Sequence, residues 1–186
     1  MMGWLGAKAL AAHQIAISMA AATFMGASGI SAALTVRIGK FAGGRDLRSL
    51  KESYWTGISI VVIYMGTMAI GFITLRNILP PLFTHEPDVQ AIASLLLVVA
   101  AFFQLFDGLQ VVGLGALRGL KDVRIPTILA LISYWVVGIP TSYLLAFGLN
   151  MGAVGVWWGL AAGLTSSSIL MFARFRYVKS RIFFAH

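Results

Sequence analysis

One run of apolar residues constrains this chain more than any other feature. Val89–Leu117 reads VQAIASLLLVVAAFFQLFDGLQVVGLGAL, and about 20 apolar residues suffice to cross a bilayer as a helix. In hydrocarbon every backbone amide must find its partner inside the segment, so such a run folds as a helix or not at all. Yet the run contains Asp107, with Gln104 and Gln110 on either side. The next charge, Arg118, lies roughly 16 Å further along a helix, which sets the carboxyl near mid-bilayer. A charge at that depth costs at least ~2.5–3.5 kcal/mol on insertion scales, so it faces a partner or a wet cavity. It is therefore either a structural acid bonded to a neighbouring helix or a functional group; intramembrane acids favour the second reading.

Four further runs share this character: residues 13–36, 54–75, 127–149 and 153–172. The chain of 186 residues is 59% hydrophobic and only 11% charged, against about a quarter charged in a soluble domain. The expectation is an all-α integral membrane protein, a bundle of five transmembrane helices in one domain over residues 1–186. With no cysteine, disulfides, iron–sulfur clusters and thiolate zinc sites are excluded. The net charge of +8 does not point to nucleic acid, because the basic residues sit between apolar runs as positive-inside topology requires. Along the chain the Lys and Arg tally before, between and after the runs is one, five, one, three, none, four. This alternation places the N-terminus outside and the C-terminus in the cytoplasm of a multi-pass cell-membrane protein.

Local signals fill in the runs. Residues 1–12 read as a loop or the tail of a further helix. Ala22 with Gly26, and Gly29 with Ala33, are small-residue pairs suited to close packing. Tyr54 and Trp55 stand where interfacial anchors belong. Pro87 suits a first helical turn, with Thr84, Glu86 and Asp88 offering oxygens to its free amides. Gly138 and Pro140 interrupt the fourth run, as a static bend or as a hinge. Gly155, Gly159 and Gly163 form a doubled GxxxG ridge. His13 and Gln14, at the outer end of the first run, either satisfy loop backbone or touch a substrate. Met19, Met25, Phe102, Phe103 and Phe106 are residue types that suit an adaptable pocket. The sequence has no HExxH, GxSxG or GxxxxGK[ST] signature, so no enzyme is indicated and no cofactor is expected.

Several short stretches, in order, resemble one family. They are Leu5-Gly6-Ala7 through His13-Gln14, Arg37-Ile38-Gly39, and Leu105-Phe106-Asp107-Gly108-Leu109-Gln110. Then come Gly115-Ala116-Leu117-Arg118-Gly119 with Asp122 and Pro126, Tyr134-Trp135 with Gly138 and Pro140, and Gly155-Val156-Trp157-Trp158-Gly159. Together they resemble the C-terminal half of multidrug and toxic-compound extrusion (MATE) transporters. The resemblance implies two six-helix lobes and export of small organic cations by alternating access, coupled to Na⁺ or H⁺. It assigns the five runs to helices eight to twelve, leaving helix seven and the N-terminal lobe as missing partners within the same transporter. It implies that Asp107 is the ion-coupling residue and a transient Na⁺ site, with no structural metal. Gln104, Gln110, His13, Gln14 and Tyr134 then lie in or around the cavity, and Gly138 and Pro140 act as hinge. Two other classes stay open: a non-transporting membrane scaffold or truncated paralogue, and a flippase of lipid-linked substrates with related fold.

Overall fold

A computed structural model describes residues 1–184. Its five long helices are α1 (Ala7–Gly43), α2 (Leu47–Leu75), α3 (Pro87–Gly119), α4 (Arg124–Gly148) and α5 (Gly152–Phe184). All five are long and apolar enough to span a membrane, and no strand occurs among the described residues. Short 3₁₀ turns at Met2–Leu5 and Pro80–Leu82 precede α1 and α3.

The helices outrun the apolar segments that announce them. α1 begins at Ala7 rather than near His13, so residues 7–12 are helix and not loop. The Ala-rich stretch there lacks a hydropathy signal but has high helix propensity. It is fastened by an ion pair between Lys8 and Asp88, at the start of α3. That pairing takes Asp88 away from the capping role expected of it. Glu86 is the N-cap residue without a side-chain cap bond, while Thr84 Oγ1 accepts from the Glu86 amide. The turn into α2 is capped conventionally: Asp46 accepts from the Ser49 amide at 3.0 Å. Bonding to Ser49 holds the Asp46 carboxyl below its ordinary pKa.

α3 is the hub, touching α1, α2 and α5 along its length. Lipid tails are as apolar as leucine, so close packing and polar bonds, rather than water exclusion, hold membrane helices together. Glycines on three sides of α3 admit its neighbours. A Cβ on Gly115 would lie 2.3 Å from Ser31 Oγ on α1, one on Gly108 2.7 Å from Met65 on α2, and one on Gly113 3.0 Å from Met171 on α5. Polar bonds reinforce the α1 contact. Ser31 Oγ donates to the Val111 carbonyl at 2.7 Å, and Thr35 Oγ1 to the Gly115 carbonyl at 2.9 Å. Each such bond contributes about 0.6 kcal/mol in a membrane, at most ~1.7.

α4 and α5 pack backbone to backbone. Gly155, Gly159 and Gly163 face Ala146, Ser142 and Gly138, residues that also recur every four positions. Ser142 Oγ adds a bond to the Val156 carbonyl at 3.0 Å. The interruption in α4 takes the form of two π-helical stretches, Ser133–Gly138 and Leu144–Gly148, on either side of Pro140. The Ile139 amide bonds to the Tyr134 carbonyl and the Leu149 amide to that of Leu144, five residues back. A wide turn absorbs the amide that proline lacks.

Two expectations about α1 and α2 change. Ala22, Gly29 and Ala33 are exposed rather than packed, and only Gly26 of those small residues meets a helix, at the Tyr64 ring. The packed stripe of α1 is Ala16, Ala20, Thr23, Ala27 and Ser31. Tyr54 is not an interfacial anchor: it is 3% exposed, and its ring stacks on Phe175 with centroids 3.9 Å apart. Trp55 is exposed, as an anchor would be.

Candidate functional site

The site is built on the middle of α3. At about 100° per residue, Gln104 and Gln110 project roughly 60° to either side of Asp107. Gln104 is 1% exposed and tied on both atoms of its amide. Its Oε1 accepts from Thr23 Oγ1 of α1 at 3.0 Å, and its Nε2 approaches the Met65 carbonyl of α2 at 3.4 Å. Gln110 turns the other way and accepts from the Tyr134 hydroxyl of α4 at 2.9 Å. Gln104 is thus engaged on α1 and α2 through both amide atoms, and Gln110 on α4 through its carbonyl oxygen. Asp107 is left in the sector between them.

Asp107 itself is half-buried, and among the described residues it forms neither an ion pair nor a hydrogen bond. A structural acid would be bonded to a neighbouring helix; here its neighbours spend their bonds on each other. Gly108, next to it, brings α2 close on the adjoining side. The carboxyl is therefore held at the depth of the surrounding bonds, with its own lone pairs free to meet a cation or a proton.

The remaining expected residues fall into two groups. His13 satisfies no loop backbone: its Nδ1 accepts from Trp157 Nε1 at 3.2 Å, with the rings edge to face. Trp157 is 0% exposed and also packs on Phe103. His13, Phe103 and Trp157 therefore lock α1, α3 and α5 together above the Asp107 sector. Gln14 is exposed and makes no side-chain bond among the described residues. Tyr134 joins the site through Gln110, while Gly138 packs against Gly163 on α5 and Pro140 is exposed. Of the residues suited to an adaptable pocket, Met25 is exposed, and Phe102 and Phe106 line a groove on another side of α3.

Thr23 and Arg174 belong to the framework of the site but carried no signal in the sequence, while Asp122 and Trp157 stood out only as members of the stretches that carry the family resemblance. Arg174 Nε meets Asp122 Oδ2 at 2.7 Å, joining α5 to the turn between α3 and α4.

Comparison with known proteins follows the same outline. The chain is 41% identical to the multidrug resistance protein NorM of Burkholderia vietnamiensis, over 97% of its own length and 40% of that protein's. It is 43% identical to the probable multidrug resistance protein NorM of Xanthomonas axonopodis pv. citri, over 98% of this chain and 40% of that one. The chain thus spans about 40% of the length of these relatives. Among solved structures, an outward-facing multidrug resistance MATE family transporter superposes with a TM-score of 0.86 at 18% identity, covering 96% of this chain and 40% of that one. An inward-facing MATE transporter gives 0.79 at 20% identity, covering 90% and 39%. At such identities the likeness shows the fold alone. The MatE family profile matches residues 1–144, and with five spanning helices arranged as in the solved transporters, this chain belongs to the MatE family of multidrug and toxic-compound extrusion proteins.

Proposed function

We propose that this chain is the C-terminal portion of a cation-coupled antiporter that exports small organic cations by alternating access. Asp107 is its coupling residue. The observation that carries the reading is a mid-membrane carboxylate with no partner among the described residues, between two glutamines that bond to other helices instead. An acid at that depth is retained for a task. A carboxylate can hold Na⁺, H⁺ or a cationic substrate in turn, and coupling follows if the two conformations bind these with different affinities. Gln104 and Gln110 act as positioning residues, fixing α1, α2 and α4 around the carboxyl. His13 and Trp157 close the site at the end of the bundle carrying Lys8. The other lobe and the preceding helix are supplied by the rest of the transporter, in keeping with the 40% coverage of the relatives.

The test is transport itself. The complete protein in proteoliposomes is loaded with a fluorescent organic cation, and a Na⁺ or a pH gradient is imposed singly. Export driven by one of the two gradients is expected. If neither gradient moves the cation, while a lipid-linked anionic substrate changes leaflet, the flippase reading replaces this one.

The proposed orientation puts the N-terminus outside and the C-terminus in the cytoplasm of the cell membrane. The structure gathers Arg45, Lys121 and Arg174 at one end of the bundle through the two short turns and the Arg174–Asp122 pair. Because the chain has no cysteine, single cysteines at Gly44, His85 and Ser180 give a clean assay. An impermeant thiol reagent applied to intact cells should label only position 85. Labelling at 44 or 180 would reverse the topology.

A further inference from the structure

Three hollows on one side of the bundle run into one another. The first, 340 Å³, lies at the basic end and is lined by Lys51, Tyr54, Trp55, Phe172, Arg176 and Lys179. Three cations line it and no acid does. The only ion pairs among the described residues are Lys8–Asp88, Arg48–Glu52 and Arg174–Asp122, so none of the three cations is neutralised. The Arg176 guanidinium lies over the Phe172 ring, 5.8 Å from its centroid. Tyr54, Trp55 and Phe172 also line the second hollow, 320 Å³, which continues between α2, α3 and α5 past Phe106 and Ile169. Phe106 and Ile169 pass it on to a third, 560 Å³, bounded by Phe102, Trp158 and Thr165.

The groove is thus positively charged at one end and apolar along the rest. From Arg176 to Thr165 along α5 is roughly 16 Å, close to the ~15 Å depth of one leaflet's hydrocarbon. On α3 its walls, Phe106, Leu109 and Gly113, are turned about 100–160° away from Asp107. It is therefore separate from the proposed coupling site.

We infer that this groove between α2, α3 and α5 binds an anionic phospholipid, its phosphate on Lys51, Arg176 and Lys179 and an acyl chain along Trp55, Phe106 and Ile169. Clustered cations at the membrane surface attract acidic headgroups, and the guanidinium fork and two ammonium groups suit phosphate oxygens. The groove's length selects a phospholipid over a free anion, since a free anion would leave the apolar part unfilled. The orientation proposed above decides only which leaflet supplies the lipid, here the cytoplasmic one.

The experiment uses the full chain in vesicles, with phosphatidylglycerol or phosphatidylcholine carrying brominated acyl chains that quench tryptophan. Trp55 is isolated by subtracting the signal of Trp55→Phe, since the chain has five tryptophans. Phosphatidylglycerol is expected to quench Trp55 preferentially over phosphatidylcholine. The triple variant Lys51→Gln, Arg176→Gln, Lys179→Gln should lower that preference by about fivefold for each cation removed. Lys40→Gln with Arg45→Gln, which removes two cations at the same end outside the groove, should leave it unchanged. If the triple variant does not fold, Lys51→Gln alone carries the test, with the same fivefold expectation. Equal quenching by both lipids overturns the proposal. So does an equal loss in the Lys40/Arg45 variant, which would mean diffuse attraction. Abolition of the preference by inorganic phosphate would assign the cations to a free-anion site instead. None of these outcomes depends on efflux, so failure here leaves the transport reading standing, and the reverse holds as well.

Discussion

Asp107→Asn in the complete transporter is expected to reduce gradient-driven export to the level of protein-free vesicles while leaving folding and membrane insertion intact. Asparagine keeps the shape and one acceptor oxygen but cannot ionise, bind a proton at that oxygen or neutralise a cation. No partner is orphaned by the change, because among the described residues Asp107 bonds to nothing. Folding should even gain, since the ~2.5–3.5 kcal/mol or more of holding a charge at that depth disappears. Efflux is measured in proteoliposomes at matched protein content, against Na⁺ and pH gradients separately. Wild-type rates in the variant would reduce Asp107 to a packing residue and end the coupling reading.

The second large effect concerns the α4–α5 contact. A Cβ on Gly159 would lie 2.2 Å from both the amide nitrogen and the hydroxyl oxygen of Ser142. The amide belongs to helix backbone and cannot swing aside, so Gly159→Ala must push the two helices apart. That separation weakens the packing at Gly155 and Gly163, and the Ser142–Val156 bond with it. Overpacking of this kind costs typically ~1–3 kcal/mol, against a bundle whose polar bonds are worth well under 2 kcal/mol each. A marked fall in the thermal midpoint of the purified protein is expected. Gly66→Ala is the control, because a Cβ there meets nothing within 4 Å and alanine is ~1 kcal/mol better than glycine inside a helix. Equal midpoints for Gly159→Ala and wild type would show that the ridge does not hold α4.

How much of this was readable beforehand depended on the range of the interaction. The five spans were legible because each is a local run of apolar residues, and the glycine ridge because its period is local too. Asp107 stood out since an acid in such a run has a cost that needs no partner to estimate. What failed was long-range. Asp88 looked like a cap until Lys8, 80 residues away, took it. Tyr54 looked like an interfacial aromatic until Phe175 covered it. Gln104 and Gln110 flanked Asp107 symmetrically in sequence, yet one bonds residues on α1 and α2 and the other a residue on α4. Resemblance identified the family, but not that His13 accepts from Trp157, 144 residues on.

The ladder of close approaches between α4 and α5 also limits how the molecule can move. Gly138 meets Gly163 on one side of Pro140, and Ser142 meets Gly159 on the other. Flexing α4 at the proline alone would pry open one of these rungs. A bend therefore has to be shared by both helices, or the pair has to swing as a single plate. In the second case the polar ties of the plate to its surroundings are Tyr134 on Gln110, Trp157 on His13 and Arg174 on Asp122. Two of those three ties lie beside the sector that holds Asp107, so a swing of the plate changes the space around the carboxyl directly.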